Sequence, residues 1–118
     1  MSQLTLYGIA NCDTIKKAKK WLDGEDIEYV FHDYRASGLE RKLLEVFAAQ
    51  LGWESILNRR GTTWRKLSEE TKNSIDRHSA IDVMLEHPAM IKRPILGNGS
   101  KFLLGFDEQK YREFIQHK

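Results

Sequence analysis

The stretch LTLYGIANCDTIKKAKKWLDGEDIEYVFHDY, residues 4–34, decides the fold class of this 118-residue chain. Residues 3–7 predict a first strand. Residues 13–22 predict a helix that ends near Gly24, because the apolar residues recur at helical spacing. These are Ile15, Ala18, Trp21 and Leu22. Residues 27–34 alternate in character and predict a second strand. A helix between two strands favours their parallel pairing, so this opening predicts an α/β protein.

Cys12 is the only cysteine, and it lies where the first strand gives way to the first helix. A thiol at this position faces the positive end of the helix dipole, which favours the nucleophilic thiolate. A lone cysteine is nevertheless more often a small buried hydrophobic residue than a catalyst. Position alone therefore makes a catalytic Cys12 one of two interpretations.

Residues from about 38 to 90 predict an all-helical insertion. An amphipathic helix ending at Gly52 is indicated by Leu39, Leu43, Val46, Phe47 and Leu51. Ser68 suits the N-cap of a short helix that continues to residue 75. Ser79, with Asp82 three residues on, resembles a capping box opening a helix that must end before Pro88.

Strand character returns near the end of the chain, at residues 94–96 and 101–104. Asn98-Gly99 between them is a common two-residue hairpin signal. Asp107 suits the N-cap of a last helix, whose Tyr111, Phe114 and Ile115 would face the core. The whole chain, residues 1–118, is thus predicted to be a single thioredoxin-like domain with a mixed four-stranded sheet. The helical insertion lies between its second and third strands.

Composition narrows the classes of function. Net charge is only +2, from 19 basic and 17 acidic residues, which argues against a nucleic-acid binder. One cysteine cannot form an internal disulfide, so nothing indicates an oxidising compartment. Neither a secretory signal nor an apolar run long enough to span a bilayer is evident, so we expect no membrane association and a cytoplasmic location.

The chain resembles the arsenate reductase/Spx family of thioredoxin-like proteins, and within it the branch typified by the YffB proteins. The matching stretches are LY (6–7), CDTIKKA (12–18), LNRRGTTWRKL (57–67), MLEHP (84–88), KRPI (92–95) and LGF (104–106). They follow one another in order along nearly the whole chain. The Arg-Pro-Ile run and the spaced cysteine are the most specific of them.

The resemblance implies a role for each matching position. Cys12 corresponds to the family's nucleophilic cysteine. Arg93 corresponds to an arginine that binds anionic substrate or glutathione beside that thiol, where it would also lower the thiol pKa. Pro94 corresponds to a cis proline that shapes the thiol's surroundings, and Arg59 would help to bind the glutathione carboxylates. Residue by residue, the simpler readings are an exposed loop charge for Arg93 and a trans edge-strand proline for Pro94.

The chain departs from the family pattern at four positions. Of the arginines that hold the oxyanion in the arsenate-reducing branch, one falls on Asn58, beside Arg59 and Arg60, and a later one falls on Leu104. A leucine cannot donate hydrogen bonds to arsenate, which makes arsenate reduction the less favoured activity. The C-x-x-C switch of the Spx branch has Ile15 at its second cysteine. Asp13, next to the thiol, opposes thiolate formation.

These features predict a glutathione-dependent thiol oxidoreductase that uses a single nucleophilic cysteine. We expect no bound cofactor, because glutathione as co-substrate would resolve the intermediate in place of a second protein thiol. The partner substrate, a thiol, a disulfide or an oxyanion, stays unidentified. His32, His78, His87 and His117 lack metal-binding spacing, so we expect no metal site.

Two other functions stay open. An Spx-like module would bind a protein partner such as RNA polymerase without chemistry at the cysteine. Arsenate reduction is the third possibility. The lysines of the first helix, Lys16, Lys17, Lys19 and Lys20, are most simply a solvated face, although they could meet an acidic partner.

Overall fold

The structure is a computed structural model that describes residues 4–10 and 12–116. Its strands are β1 (Thr5–Gly8), β2 (Val30–Asp33), β3 (Ile95–Gly97) and β4 (Phe102–Leu104), in the sheet order β2-β1-β3-β4. β1 pairs with β2 in parallel, whereas β3 is antiparallel to both β1 and β4. The predicted mixed four-stranded sheet is therefore confirmed.

The described residues form two compact units. The sheet unit comprises the residues up to Gly38 together with those from Arg93 onwards, and the helical unit comprises Leu39–Lys92. In the sheet unit, helices α1 (Asp13–Gly24) and α7 (Glu108–Gln116) supply core residues against the sheet. The buried cluster consists of Leu4, Leu6, Ala18, Leu22, Leu96 and Tyr111.

The helical unit confirms the predicted insertion between the second and third strands. Its helices are α2 (Arg41–Leu51), α3 (Trp53–Ile56), α4 (Thr62–Arg65), α5 (Glu69–Asn73) and α6 (Arg77–Glu86), followed by a 3₁₀ turn at Pro88–Met90. Gly52 ends α2 with φ 92°, a conformation that favours glycine. No helix among residues 4–10 and 12–116 is long and apolar enough to cross a membrane.

Several predicted boundaries are wrong. β2 takes only the second half of the alternating stretch 27–34. The capping box of α6 is formed by Asp76 and Ser79, whose side chains and backbone amides bond reciprocally, so the helix begins three residues before the predicted site. Ser79 is therefore the fourth residue of the box and not its first. Ser68 does cap α5, accepting a hydrogen bond from the Thr71 amide at 3.1 Å.

The β3–β4 hairpin also differs in register from the prediction. The Asn98 amide donates to the Lys101 carbonyl at 3.2 Å, so Gly99 and Ser100 form the two-residue loop. Gly99 has φ 98°, which suits the first loop position of a type II′ turn. Asn98 instead precedes the turn and holds it with its side chain. The last helix begins as predicted, with the Lys110 amide donating to Asp107 at 3.0 Å.

Candidate functional site

Cys12 is the N-cap residue of α1, with extended backbone angles of φ −136° and ψ 127°. Its carbonyl accepts the first helical hydrogen bond, from the Lys16 amide at 3.0 Å. The side chain is partly buried, and in the thiol form it makes no capping hydrogen bond. A thiol is a weak acceptor, but the ionised sulfur is a strong one for the amides at the helix N-terminus.

The surroundings of Cys12 favour its ionised form. Burial of the thiol opposes ionisation, but the backbone amides of Ile15 and Thr14 and the side chain of Arg93 outweigh that effect. Together they hold the pKa of Cys12 below its ordinary value, as the sequence predicts. Asp13 is exposed, where solvent screens its charge.

Arg93 and Pro94 lie directly before the first residue of β3, the strand that pairs with β1. The Arg93–Pro94 peptide bond is cis, which confirms that prediction. Pro94 is buried, and its carbonyl accepts a hydrogen bond from the Gly105 amide at 2.8 Å. Arg93 is partly buried, and its side chain lies close enough to Cys12 to stabilise the thiolate. The fold therefore brings together Cys12, Arg93 and Pro94.

Gly8 allows α1 to approach the end of β1 closely. A Cβ at this position would lie 2.3 Å from Cδ1 of Ile15 and 3.6 Å from Cβ of Arg93. Ile15 is fully buried. Gly8 thus sets how near the first turn of α1, and the thiol before it, comes to the sheet.

Tyr34 is a site neighbour that the sequence analysis missed. Its side chain is 2% exposed, and its amide donates to the Gly8 carbonyl at 2.9 Å. Burial raises the pKa of Tyr34 far above its ordinary value, while the nearby charge of Arg93 opposes the rise. The signal was its place after the second strand, because neighbouring parallel strands end at the same edge of a sheet.

On β4, this chain has the apolar Leu104 where the arsenate-reducing branch has an arginine. Leu104 pairs with Ile95, the residue after Pro94. Neither side chain can bind an oxyanion. The departure noted in the sequence therefore falls on a strand that borders the cis proline.

Arg59 belongs to the helical unit. Its guanidinium lies 5.9 Å from the ring centre of Trp53 and 5.5 Å from that of Trp64. The preceding residue, Asn58, is tied to Met90 by a 2.7 Å backbone hydrogen bond, and its side chain accepts from the Arg60 amide at 3.0 Å. These contacts orient Arg59 within its own unit, and its predicted role toward glutathione stays a prediction.

The described residues contain no group of three or more His, Cys, Asp or Glu side chains that could hold a metal ion. His32 donates from Nε2 to the Gly38 carbonyl at 2.8 Å, and His78 contacts Arg41 and Asp82. His117 lies outside the described residues.

Comparison with known proteins finds relatives that match this chain over more than nine-tenths of its length. An uncharacterized protein of Haemophilus influenzae is 49% identical over 92% of this chain and 96% of its own length. A solved structure named YffB protein superposes with a TM-score of 0.90, at 48% identity over 94% of this chain and 97% of its own. The global transcriptional regulator Spx of Streptococcus pneumoniae is 27% identical over 95% of this chain and 85% of its own length.

The family assignment agrees with the geometry. The ArsC family matches residues 7–114, a span that contains Cys12, Arg93 and Pro94 as well as every helix of the helical unit. The three relatives cover 92–95% of this chain, so the match reflects nearly the whole fold and not one motif. This chain therefore belongs to the ArsC family.

Proposed function

We propose that this protein is a thiol oxidoreductase that uses glutathione as its co-substrate. The observation that carries the proposal is the Cys12 thiol at the start of α1, where amides of the first turn and Arg93 lower its pKa. Thiolate is the form that attacks a disulfide. The sequence holds no second cysteine, so an external thiol has to complete any cycle.

The cycle follows from thiol–disulfide exchange. The Cys12 thiolate attacks the glutathione sulfur of a substrate–glutathione mixed disulfide, and the substrate leaves as a thiolate that takes up a proton. Cys12 now carries glutathione in a mixed disulfide. A second glutathione thiolate attacks that glutathione sulfur, which releases oxidised glutathione and restores the Cys12 thiolate. In the sum of the two steps one glutathione thiol is consumed and one substrate thiol is released, and the glutathione of the mixed disulfide leaves as the other half of oxidised glutathione.

Arg93 has two tasks in this cycle. Its positive charge stabilises the attacking thiolate, and its planar guanidinium suits one of the two carboxylates of glutathione through paired hydrogen bonds. Pro94, the buried residue that follows it, is the predicted residue that shapes the thiol's surroundings. Arg59, held between two tryptophans, is the predicted ligand of the other carboxylate.

Arsenate is a poor candidate substrate. Leu104, which replaces a family arginine, lies on β4 opposite Ile95 and offers no donor to an oxyanion. We expect a reductase assay supplied with glutathione and glutaredoxin to show no useful Cys12-dependent turnover of arsenate. Robust turnover would mean that Arg59 or Arg60 supplies the missing charge.

Glutathionylation of Cys12 tests the proposal directly. Oxidised glutathione is added to the purified protein, and intact-protein mass spectrometry follows the mixed disulfide over time. Arg93→Ala should slow the reaction roughly 5- to 150-fold, the equivalent of about 1–3 kcal/mol for a charge-assisted contact. Arg93→Lys should recover only part of the rate, because it restores the charge without the paired donors.

Lys92→Ala is the matched control, since Lys92 is the adjacent exposed cation. It should react at the wild-type rate, and Cys12→Ser should not react at all. If wild type does not form the mixed disulfide, the glutathione mechanism is wrong. Equal rates for wild type and Arg93→Ala would make Arg93 a structural residue.

A second candidate function is a regulatory module that binds a protein partner. The 27% identity to Spx extends over 95% of this chain, and the resemblance implies RNA polymerase as the partner. Ile15 is fully buried at the position of the second switch cysteine, so such binding would not be redox-controlled. Capture of purified RNA polymerase by wild type and Cys12→Ser alike would favour this function.

A further inference from the structure

A groove of about 420 Å³ lies in the sheet unit, between the second half of α1 and the residues that lead into α7. It is lined by Lys17, Lys20, Trp21, Glu25, Phe106 and Glu108. None of these residues takes part in the proposed chemistry at Cys12. The groove combines aromatic side chains, which are enriched in protein interfaces, with charged side chains, which select the sign of a partner's charge.

The α1 side of the groove follows helical spacing. Lys17, Trp21 and Gly24 are separated by four and three residues, so they lie along one face of the helix. Lys20 borders the same face. A Cβ built on Gly24 would meet nothing within 4 Å, so the groove is open at that end.

Two aromatic side chains form an apolar floor. Trp21 meets the buried Tyr111 edge to face with ring centres 5.9 Å apart, and Phe106 meets the same ring at 5.0 Å. Tyr111 is 0% exposed, so it fixes both rings from below. Trp21 and Phe106 stay partly exposed on the side that faces the groove. A large apolar side chain would bury further area against them.

The charged side chains of the groove differ in whether they form salt bridges. Glu25 forms a salt bridge with Arg112 at 3.6 Å, and the Arg112 guanidinium lies 5.7 Å from the ring centre of Trp21. Lys17 and Lys20 are exposed and take part in no salt bridge within residues 4–10 and 12–116. Two cations are thus available at one wall, against the single unneutralised carboxylate of Glu108.

A larger cavity of the sheet unit also has aromatic side chains, but carboxylates outnumber its cations. It is lined by three carboxylates, Asp23, Asp26 and Glu28, and its one lysine, Lys19, already lies 3.7 Å from the ring centre of Phe31. Such a surface repels an acidic segment. The groove on the opposite side of α1 is the place where charge and apolar area favour the same partner.

We propose that this groove docks an acidic peptide segment that carries one large apolar side chain, presented by a protein substrate of Cys12. The apolar side chain would rest on Trp21 and Phe106, and flanking carboxylates would pair with Lys17 and Lys20. The docking does not depend on chemistry at Cys12, and only its role as a substrate site rests on the proposed function.

The helix sets the spacing that such a substrate needs. Trp21 follows Cys12 by nine residues, about 13 Å along α1 at the helical rise per residue. Nine residues are also two and a half helical turns, so Cys12 and Trp21 lie on opposite sides of α1, and a peptide has to pass around the helix as well as along it. The reactive cysteine of the substrate should therefore lie about six or more residues from its apolar anchor.

Binding is tested with the Cys12→Ser protein, so that no covalent reaction contributes. The probe is a fluorescein-labelled peptide of the sequence Glu-Glu-Phe-Glu-Glu, and the comparison peptide has Lys in place of every Glu. Anisotropy titration should show that the acidic peptide binds and the basic one does not. The double variant Lys17→Glu, Lys20→Glu should weaken binding tenfold or more, and Glu108→Gln should strengthen it.

The matched control is Lys101→Glu, Lys110→Glu, which changes the net charge equally at residues that line a different cavity. Its affinity for the acidic peptide should stay within twofold to threefold of the parent protein. The docking site is wrong if the acidic peptide fails to bind, or if both double variants weaken binding equally.

The substrate role is tested separately, with active protein. A glutathionylated peptide with cysteine about six residues from Phe in an acidic segment is compared with the glutathione mixed disulfide of 2-mercaptoethanol. Charge reversal at Lys17 and Lys20 should lower kcat/KM for the peptide tenfold and leave the small substrate unchanged. Equal effects on both substrates would refute the substrate role. No reduction of either, with peptide binding retained, would refute the proposed function and leave the docking site standing.

Discussion

Three donors from two parts of the chain act on one sulfur at Cys12. The amides of Thr14 and Ile15 come from the residues that follow it, whereas Arg93 arrives on the strand that pairs with β1. Helix amides are present at every helix N-terminus, so only the guanidinium distinguishes this thiol from an ordinary N-cap residue. The ionisation of Cys12 should therefore depend on Arg93.

Titration of the thiolate absorbance measures that dependence. The midpoint for wild type should lie below about 8.5, the value of a free cysteine, and Arg93→Ala should move it upwards. The glutathionylation rate should rise with pH through the same midpoint and then level off, because only the thiolate reacts. A wild-type midpoint at or above the free value would show that burial dominates.

Gly8 is the second position where one residue controls the site. Gly8→Ala places a Cβ 2.3 Å from Cδ1 of the buried Ile15, so α1 or the side chain has to move. We expect urea denaturation to show a loss of about 1–3 kcal/mol in the free energy of unfolding, as for other overpacked cores. Gly24→Ala is the control, because nothing lies within 4 Å of its Cβ. It should be neutral or stabilising by up to about 1 kcal/mol.

The β3–β4 hairpin shows that a local sequence signal can predict a turn without predicting its register. Asn98-Gly99 correctly indicates a tight turn between two strands, but the same dipeptide fits either the centre or the first half of the turn. The side chain of Asn98 decides, because its oxygen accepts from the amides of Ser100 and Lys101 at 3.1 and 2.9 Å. It thereby takes the place of a backbone acceptor at the start of the turn.

Asn98→Ala should destabilise this hairpin. Asn98 is 5% exposed, and its removal leaves two amides of the turn without their acceptor. The expected loss is about 1–3 kcal/mol in the free energy of unfolding, measured with urea. Asn98→Asp keeps the acceptor oxygen and should retain most of the stability. Equal losses for the two variants would mean that the donors of the Asn98 amide group matter more.

The predicted capping box of α6 was wrong for a related reason. Ser79 followed by Asp82 and Asp76 followed by Ser79 both satisfy a cap-like spacing. The structure selects Asp76, and Asp82 instead binds the guanidinium of Arg41, which lies on a different helix. A partner so distant in sequence leaves no local signal. Helix existence was therefore predictable here, but the first residue was not.

At the scale of the whole molecule, the sequence predicted the order of the elements and the buried faces of helices such as α7, but not which residues outside the elements are buried. The order of strands and helices predicted the mixed sheet. The resemblance predicted that Arg93 lies beside the Cys12 thiol and that Pro94 is cis. Tyr34 escaped notice, because the alternation of β2 does not reveal that the chain after it is covered. Its hydroxyl and that of Tyr111 are buried with no hydrogen-bond partner among the described residues.

These two tyrosines make stability fall at alkaline pH. Burial raises the pKa of Tyr34 and of Tyr111 above the ordinary value of about 10, so the folded protein keeps both protons while the unfolded chain releases them. Their contribution is complete below pH 10 and is lost as the pH rises from there toward the raised folded pKa values. Each tyrosine should lower the free energy of unfolding by about 1.4 kcal/mol per pH unit in that window.

Urea denaturation of wild type and of Tyr34→Phe, Tyr111→Phe from pH 9 to 11 measures this slope. Other groups titrate in both proteins, so the difference between the two curves isolates the tyrosines. At pH 9 the variant should be as stable as wild type or more stable, since it removes two hydroxyls that lack partners within the described chain. Above pH 10 the gap should widen in favour of the variant. Parallel curves would show that both hydroxyls ionise as freely in the folded protein as in the unfolded chain.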